Sequence, residues 1–276
     1  MVCCSLSYLD AEFGAPLGSD GGDGSVEVED DASAEAEVDV RGEGAVRDGD
    51  VTPGDPYGQA VLADMPVGWW RLEETEGATA KDSSGKGHNA TIVGVAGIGF
   101  GAPGALASKR AFVFDGAASL VLGNIMDFEG PCTIEAWVKS SAADKNFRNI
   151  FSKIAISGSG PVEGFYFYYN GDLPRVGFEG WSSEVLLQLA KTDTRLDATT
   201  FTHLVLTHDG SIARLYWNGA IVASSGSAAK LKGTASPPTW GKGWSGALDE
   251  LALYDKPLSG TRVEAHFRAA KPAGGS

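Results

Sequence analysis

Apolar and polar positions alternate in short runs along most of this chain, and the runs break at Gly, Pro, Asn and Asp. The pattern is clearest from Phe201 onward: FTHLVLTH leads into Asp209-Gly210, IARLYW leads into Asn218-Gly219, and AIVA follows. Both dipeptides tolerate the positive φ values that two-residue type I′ turns require, so the segment predicts an antiparallel meander. ALDELALY, residues 247–254, predicts one more strand. Leu204 and Leu206 share one face of their strand while Phe201 and Val205 share the other. A strand apolar on both faces belongs inside a sandwich. Upstream, VGWWRLEE (67–74), RAFVFDG (110–116), SLVLG (119–123), CTIEAWVKS (132–140), RNIFSKIAI (148–156), GFYFYYNG (164–171), RVGFEG (175–180) and EVLLQLAK (184–191) are runs of the same kind. Together they predict an all-β fold of antiparallel sheets. Only residues 258–270, with Ser259 as a cap and Val263, Phe267 and Ala270 near helical spacing, predict a helix.

Charge divides the chain. The first 60 residues hold fifteen Asp and Glu against Arg41 and Arg47, and the whole chain carries a net charge of −14, so the remainder is close to neutral. Between Gly18 and Asp55 there is no aromatic residue and no Leu, Ile or Met. Such a stretch cannot bury enough surface to offset its chain entropy, and residues 1–56 are expected to form a disordered, self-repelling acidic arm. The Asp- and Gly-rich clusters at 20–24 and 48–50 lack the later bidentate Glu of an EF-hand loop and read as solvated linker. The acidity belongs to the arm and says little about what the remainder binds; no nucleic-acid partner is expected.

Cys3 and Cys4 are adjacent and Cys132 heads an apolar strand, so no disulfide framework is indicated and Cys132 is expected to be a small buried hydrophobe. A cysteine followed by a polar acidic linker resembles the mature N-terminus of a bacterial lipoprotein, although no basic and apolar signal regions precede it here. Lipid at Cys3 or Cys4 is the membrane attachment this implies, since no run approaches the roughly eighteen apolar residues of a membrane span.

The ordered set YGQAVLADMPVGWWRLEE, DSSGKGHNATIVG, AFVFDG, FEGPCTIEAWVK, FTHLVLTHDGSIARLYWNGAIVA and WSGALDELALYDKPLS resembles the laminin G-like domains of the concanavalin A-like lectin and glucanase superfamily. The resemblance covers about Tyr57 to Phe267. It implies a two-sheet antiparallel jelly-roll sandwich over 57–270, with a short C-terminal helix and a flexible tail over 271–276. It also implies a binding or adhesive module of extracellular or bacterial cell-surface proteins, whose partner is a carbohydrate or an extracellular protein.

Two carboxylates carry candidate metal chemistry. By period-two alternation Asp249 shares a face with Leu251 and Leu253, a costly position for a carboxylate unless it is paired or bound to a cation. Asp82 opens DSSGKGH, a Gly-rich turn whose carbonyls could coordinate. Related jelly rolls hold a structural calcium between an early loop and the last strand, and the resemblance places that role on Asp82 and Asp249. The alternative is that both carboxylates accept hydrogen bonds from backbone amides at the sheet edge. Asn89-Ala90 departs from the family's commoner Gly-rich form.

For ligand binding, Trp181 in FEGWSSE and Trp240 in SPPTWGKGWSG are the candidate sugar platforms, because a flat exposed indole stacks on a sugar ring. Trp69, Trp70, Trp137, Trp217 and Trp244 are expected in the core. Catalysis is not expected. The related glycoside hydrolases resemble one another through a Glu-x-Asp-x-x-Glu strand, which is absent, and the adjacent carboxylates Glu73-Glu74 and Asp249-Glu250 point to opposite faces. No hydrolase elbow, metalloprotease helix or phosphate loop occurs, and the four histidines show no ligand spacing. The reading is therefore a non-catalytic binding module. The alternatives are a surface-display or spacer module with no small ligand and, behind it, a glycan-active enzyme.

Overall fold

A computed structural model describes residues 54–141, 146–157, 160–172, 175–182, 185–226 and 232–271. The expected acidic arm falls almost wholly on residues 1–53, and the C-terminal tail on residues 272–276; both lie outside the described residues.

Among the described residues, sixteen strands form two antiparallel sheets. Sheet A runs, in spatial order, β14 (Ala220–Gly226), β13 (Ile212–Trp217), β12 (Thr202–His208), β7 (Cys132–Ser140), β16 (Ser245–Tyr254), β5 (Arg110–Asp115) and β4 (Ile98–Pro103), and β1 (Gly68–Trp70) also pairs with β16. Sheet B runs β11 (Val185–Thr192), β10 (Arg175–Ser182), β9 (Gly160–Asn170), β8 (Phe147–Ser157), β15 (Thr239–Trp240), β6 (Ser119–Val121), β3 (Ala90–Val93) and β2 (Thr79–Ala80). This is the jelly-roll sandwich the strand pattern predicts. Between the sheets lies one large core, to which Trp70, Phe112, Phe114, Ile134, Phe151, Phe165, Phe167, Leu204, Leu206, Trp240, Trp244, Leu251 and Leu253 contribute.

Both hairpins of the meander form, with different turns. Asn218 and Gly219 both have positive φ, 51° and 82°, as a type I′ turn requires. In the other hairpin only Gly210 is positive, at 94°, and the Asp209 amide donates to the Ile212 carbonyl, so the turn residues are Gly210 and Ser211. That is the type II′ signature, displaced one residue from the expected Asp-Gly pair. Asp209 instead accepts from the Ser211 and Ile212 amides through Oδ1.

A second apolar layer explains why β12 is apolar on both faces. Helix α2 (Gly260–Ala269), capped by Ser259 as predicted, is joined by a helix that the apolar pattern did not predict, α1 (Pro56–Ala63). Asp55 caps α1 by accepting the Gly58 amide, and Pro56 occupies its first turn. Tyr57 and Val61 of α1 and Val263 of α2 are buried in a cluster with Trp69, Trp137, Val205, Tyr216, Ala252 and Tyr254 on the outer face of sheet A. Sheet A is thus covered on both faces.

The period-two reading of β16 fails at one point. Register against β7 shifts between Asp249 and Ala252, and Glu250 adopts φ 48°. The bulge moves Leu248, Leu251 and Leu253 to the inter-sheet core and places Asp249 opposite Trp137, on the face turned toward the second cluster. Asp249 therefore does not share a face with Leu251 and Leu253.

Candidate functional site

Among the described residues no helix packs on the outer face of sheet B, where Phe147 is exposed and Tyr166 and Arg175 are half-buried, while Ser152, Tyr168 and Glu179 are buried. The chemistry of this face follows from the alternation FYFYY in β9. Phe165, Phe167 and Tyr169 enter the core, which turns Tyr166 and Tyr168 outward. In β10, Val176 and Phe178 enter the core, so Arg175, Gly177 and Glu179 share the outer face.

These residues meet. The Tyr166 and Tyr168 hydroxyls donate to the two oxygens of Glu179 at 3.0 and 2.8 Å. Phe147 of β8 stacks on Tyr168 at 4.6 Å and meets Tyr166 edge-on at 5.0 Å, and it remains 43% exposed. Gly177 makes room for this: a Cβ there would stand 2.7 Å from the Tyr168 ring. Arg175 pairs with Asp193 at 2.6 Å on the rim, and the Ser152 and Thr239 hydroxyls are 2.9 Å apart farther along the same face. Burial and then the Glu179 charge push both phenols above their usual range, so they stay protonated donors. The part of this face open to a ligand is the Phe147 ring with the half-buried Tyr166 and Arg175, held in place by the buried Tyr168 and Glu179 beneath them; aromatic and polar groups of this kind recognise polyhydroxylated rings.

Of the expected platforms, Trp181 lies in strand β10 rather than in a loop. Its backbone pairs with Gly164 and Leu186. Gly164 has φ 93°, and a Cβ there would meet the Lys153 carbonyl at 2.0 Å, so the position opposite Trp181 must be bare. The Trp181 side chain lies outside the described residues. Trp240 is a correction: it is fully buried in β15 against Trp70 and Phe151, at ring separations of 6.3 and 4.6 Å, and has no face to offer a ligand.

Asp82 and Asp249 are each engaged separately. Asp82 Oδ1 accepts the Trp69 and Ser84 amides, and its Oδ2 accepts the Ser84 hydroxyl and the His88 amide. Asp249 accepts the Ala105 and Glu250 amides. Donors thus occupy all four oxygens, and the described residues contain no group of three or more Asp, Glu, His or Cys placed to hold a metal. Calcium needs six to eight oxygen ligands, so these two carboxylates as arranged do not fit it. Burial, then the neighbouring Glu250, drives the Asp249 carboxyl well above its usual range.

Two buried charge networks under the helices were not visible as motifs. Glu135 of β7 accepts from Tyr57 at 3.0 Å, Tyr254 at 2.9 Å, His203 at 2.8 Å and His266 at 3.0 Å. His266 also donates through Nε2 to Asp64 at 2.9 Å and to the Ala60 carbonyl at 3.1 Å. Both imidazole nitrogens face acceptors, so the ring is an imidazolium. In the second network Arg71 lies over the Trp69 ring, pairs with Asp55 at 2.7 Å and donates to Glu250 at 3.0 Å. These networks are largely buried and fasten α1 and α2 to sheet A.

A family model described as the concanavalin A-like lectin/glucanases superfamily matches residues 114–264. No curated protein sequence matches the chain. Among solved structures, it resembles domain 4 of AbnA, a GH43 extracellular arabinanase from Geobacillus stearothermophilus, in complex with arabinotriose. That match has a TM-score of 0.56 and 17% identity, over 75% of this chain and 98% of the other. The binding domain of Paraclostridial Mosquitocidal Protein 1 matches with a TM-score of 0.58 and 16% identity, over 75% of this chain and 52% of its own. The ligand binding domain of botulinum neurotoxin serotype D, in complex with N-acetylneuraminic acid, matches with a TM-score of 0.57 and 12% identity, over 77% of this chain and 52% of its own. The chain thus spans nearly all of the first and about half of the other two. Identities this low establish the fold alone.

Proposed function

Since the chain belongs to the concanavalin A-like lectin/glucanase superfamily, we propose that it is a non-catalytic carbohydrate-binding module whose ligand lies across the outer face of sheet B. The observation that carries this reading is the Phe147–Tyr166–Tyr168 cluster anchored on Glu179, on the sheet whose outer face no described helix covers. Solved jelly rolls of similar fold hold arabinotriose and N-acetylneuraminic acid, which supports the ligand class. Non-catalysis is supported by the carboxylates themselves. Glycoside hydrolysis sets two carboxyl groups across the scissile bond, whereas Glu179 is bound by two phenols and neighbouring Asp193 is neutralised by Arg175. Within this proposal the module is exported and held at a cell surface, with lipid at Cys3 or Cys4 and the acidic arm as a spacer; the cysteine and charge pattern support that placement.

The test is a glycan array followed by calorimetry on the full-length chain. Phe147→Ala should weaken the bound glycan by about tenfold, since an aromatic contact adds about 0.5–1.5 kcal/mol beyond the area it buries. It should change stability by less than about 1 kcal/mol, because the ring is half exposed. Undiminished binding by both Phe147→Ala and Tyr166→Ala would remove the site from this face. A wild type that retains no glycan would favour the display-module alternative.

A further inference from the structure

A cleft of about 510 Å³ opens where the segment after β1, the loop after β2 and the β4–β5 turn converge, away from the aromatic face. Arg71 contributes to its lining, already held by Asp55 and Glu250. Lys81, Lys109 and Arg110 line it too, and among the described residues none of these three side chains has an ion-pair or hydrogen-bond partner. The two carboxylates present are turned to another use. Glu73 Oε1 accepts the Arg110 backbone amide at 3.2 Å and Glu74 Oε1 accepts the Lys81 backbone amide at 2.8 Å. They fix the two loops by their main chains and leave the cationic side chains unneutralised. Glu74 Oε2 is buried and has no hydrogen-bond partner within the described residues.

We propose that this cleft is a second binding site, for a sugar carboxylic acid: a hexuronate or sialic-type unit bearing one carboxylate and several hydroxyls. Three unneutralised cations match a single carboxylate, and the unpartnered Glu74 oxygen accepts a ligand hydroxyl, a partner that a bare anion lacks. The volume accommodates one or two sugar rings. The site uses none of the residues of the aromatic face and stands or falls separately from it.

The experiment titrates the full-length chain with a galacturonate disaccharide, its methyl ester, N-acetylneuraminic acid, sodium sulfate and a short single-stranded oligonucleotide. At least one sugar acid should bind, and raising the salt from about 0.05 to 0.5 M should weaken it, because the attraction is largely Coulombic. Removing the ligand charge by esterification, or two protein charges by Lys109→Ala with Arg110→Ala, should each weaken binding about tenfold. Phe147→Ala should leave it unchanged. Both cation substitutions are at solvent-accessible side chains, and an unaltered melting curve shows that the variant is folded. Equal binding of acid and ester, equal binding by wild type and double variant, sulfate or oligonucleotide binding as tightly as the sugar acid, or no binding of either acid at millimolar concentration would each overturn the proposal.

Discussion

Replacing His266 by Leu tests whether the imidazolium holds the two helices on sheet A. The substitution keeps an apolar side chain of similar size and removes a cation that faces Glu135 from below and Asp64 from α1. Asp64 retains Arg262 at 2.8 Å, and Glu135 retains His203, Tyr57 and Tyr254. The loss is thus of one buried charge partner, which costs roughly 3–5 kcal/mol. For a domain of this size that is a melting-temperature fall of roughly 6–20 °C. The pH dependence gives a second readout. Burial alone would lower the His266 pKa, but Glu135 and then Asp64 overcome it and leave the ring above its usual 6.5. A raised folded value means stability that is fully present below about pH 6.5 and lost as pH rises through the higher folded value. Burial would raise Glu135, but His266 and His203 hold it well below its usual 4.5. Its contribution is present above about pH 4.5 and lost on acidification. Glu250, pushed by burial to about 7 despite Arg71, adds a loss of its own as pH rises from about 4.5 through 7, which wild type and variant share. The readout is therefore the difference between wild type and variant in urea unfolding from pH 5 to 10, which should shrink as pH rises. A difference below about 1 kcal/mol at pH 6, or one that does not change with pH, would refute the imidazolium clamp.

Two further predictions concern the chain start and the metal. A chain beginning at Gly54 should melt like the full-length protein, whereas one beginning at Tyr57 loses the cap of α1 and the partner of Arg71. The latter should be destabilised by roughly 3–5 kcal/mol, measured by denaturant titration; equal stability of the two would place the boundary elsewhere. Because Asp82 and Asp249 are satisfied by N–H and O–H donors, melting curves with millimolar calcium and with a chelator should superimpose. A chelator-sensitive melting temperature that Asp249→Ala abolishes would restore the cation reading, since an ion bound only by the native state stabilises it by mass action.

How much of this was legible depends on whether the signal was local. The strands and the cap of α2 follow from periodicity and a single serine, which neighbouring residues suffice to express. Helix α1 carried an equally local signal, Asp55 followed by Pro56, but its apolar spacing is weak because it covers a sheet with only Tyr57, Gly58 and Val61 buried. The bulge at Asp249–Ala252 left no such mark. It moves Asp249 to a face that strict alternation denies it, and only the register with β7 reveals the shift. Glu135 and His266 are 131 positions apart, so their pairing is a product of topology and no spacing rule could find it.

The candidate binding face lies between these cases. In β12 the apolar residues Val205 and Phe201 on the second face point to a covered sheet, and α1 and α2 supply that cover. In β9 the second face carries Tyr166 and Tyr168 instead, rings with a polar tip that can be solvated. On covered sheet A the Tyr254 hydroxyl is satisfied by the buried Glu135, so a tyrosine on the second face does not by itself tell an open sheet from a closed one. What the alternation could not disclose is that Glu179, thirteen positions from Tyr166 and eleven from Tyr168, receives both hydroxyls. That bond fixes the two rings in place before any ligand arrives, and a preorganised aromatic surface binds without the cost of ordering its side chains.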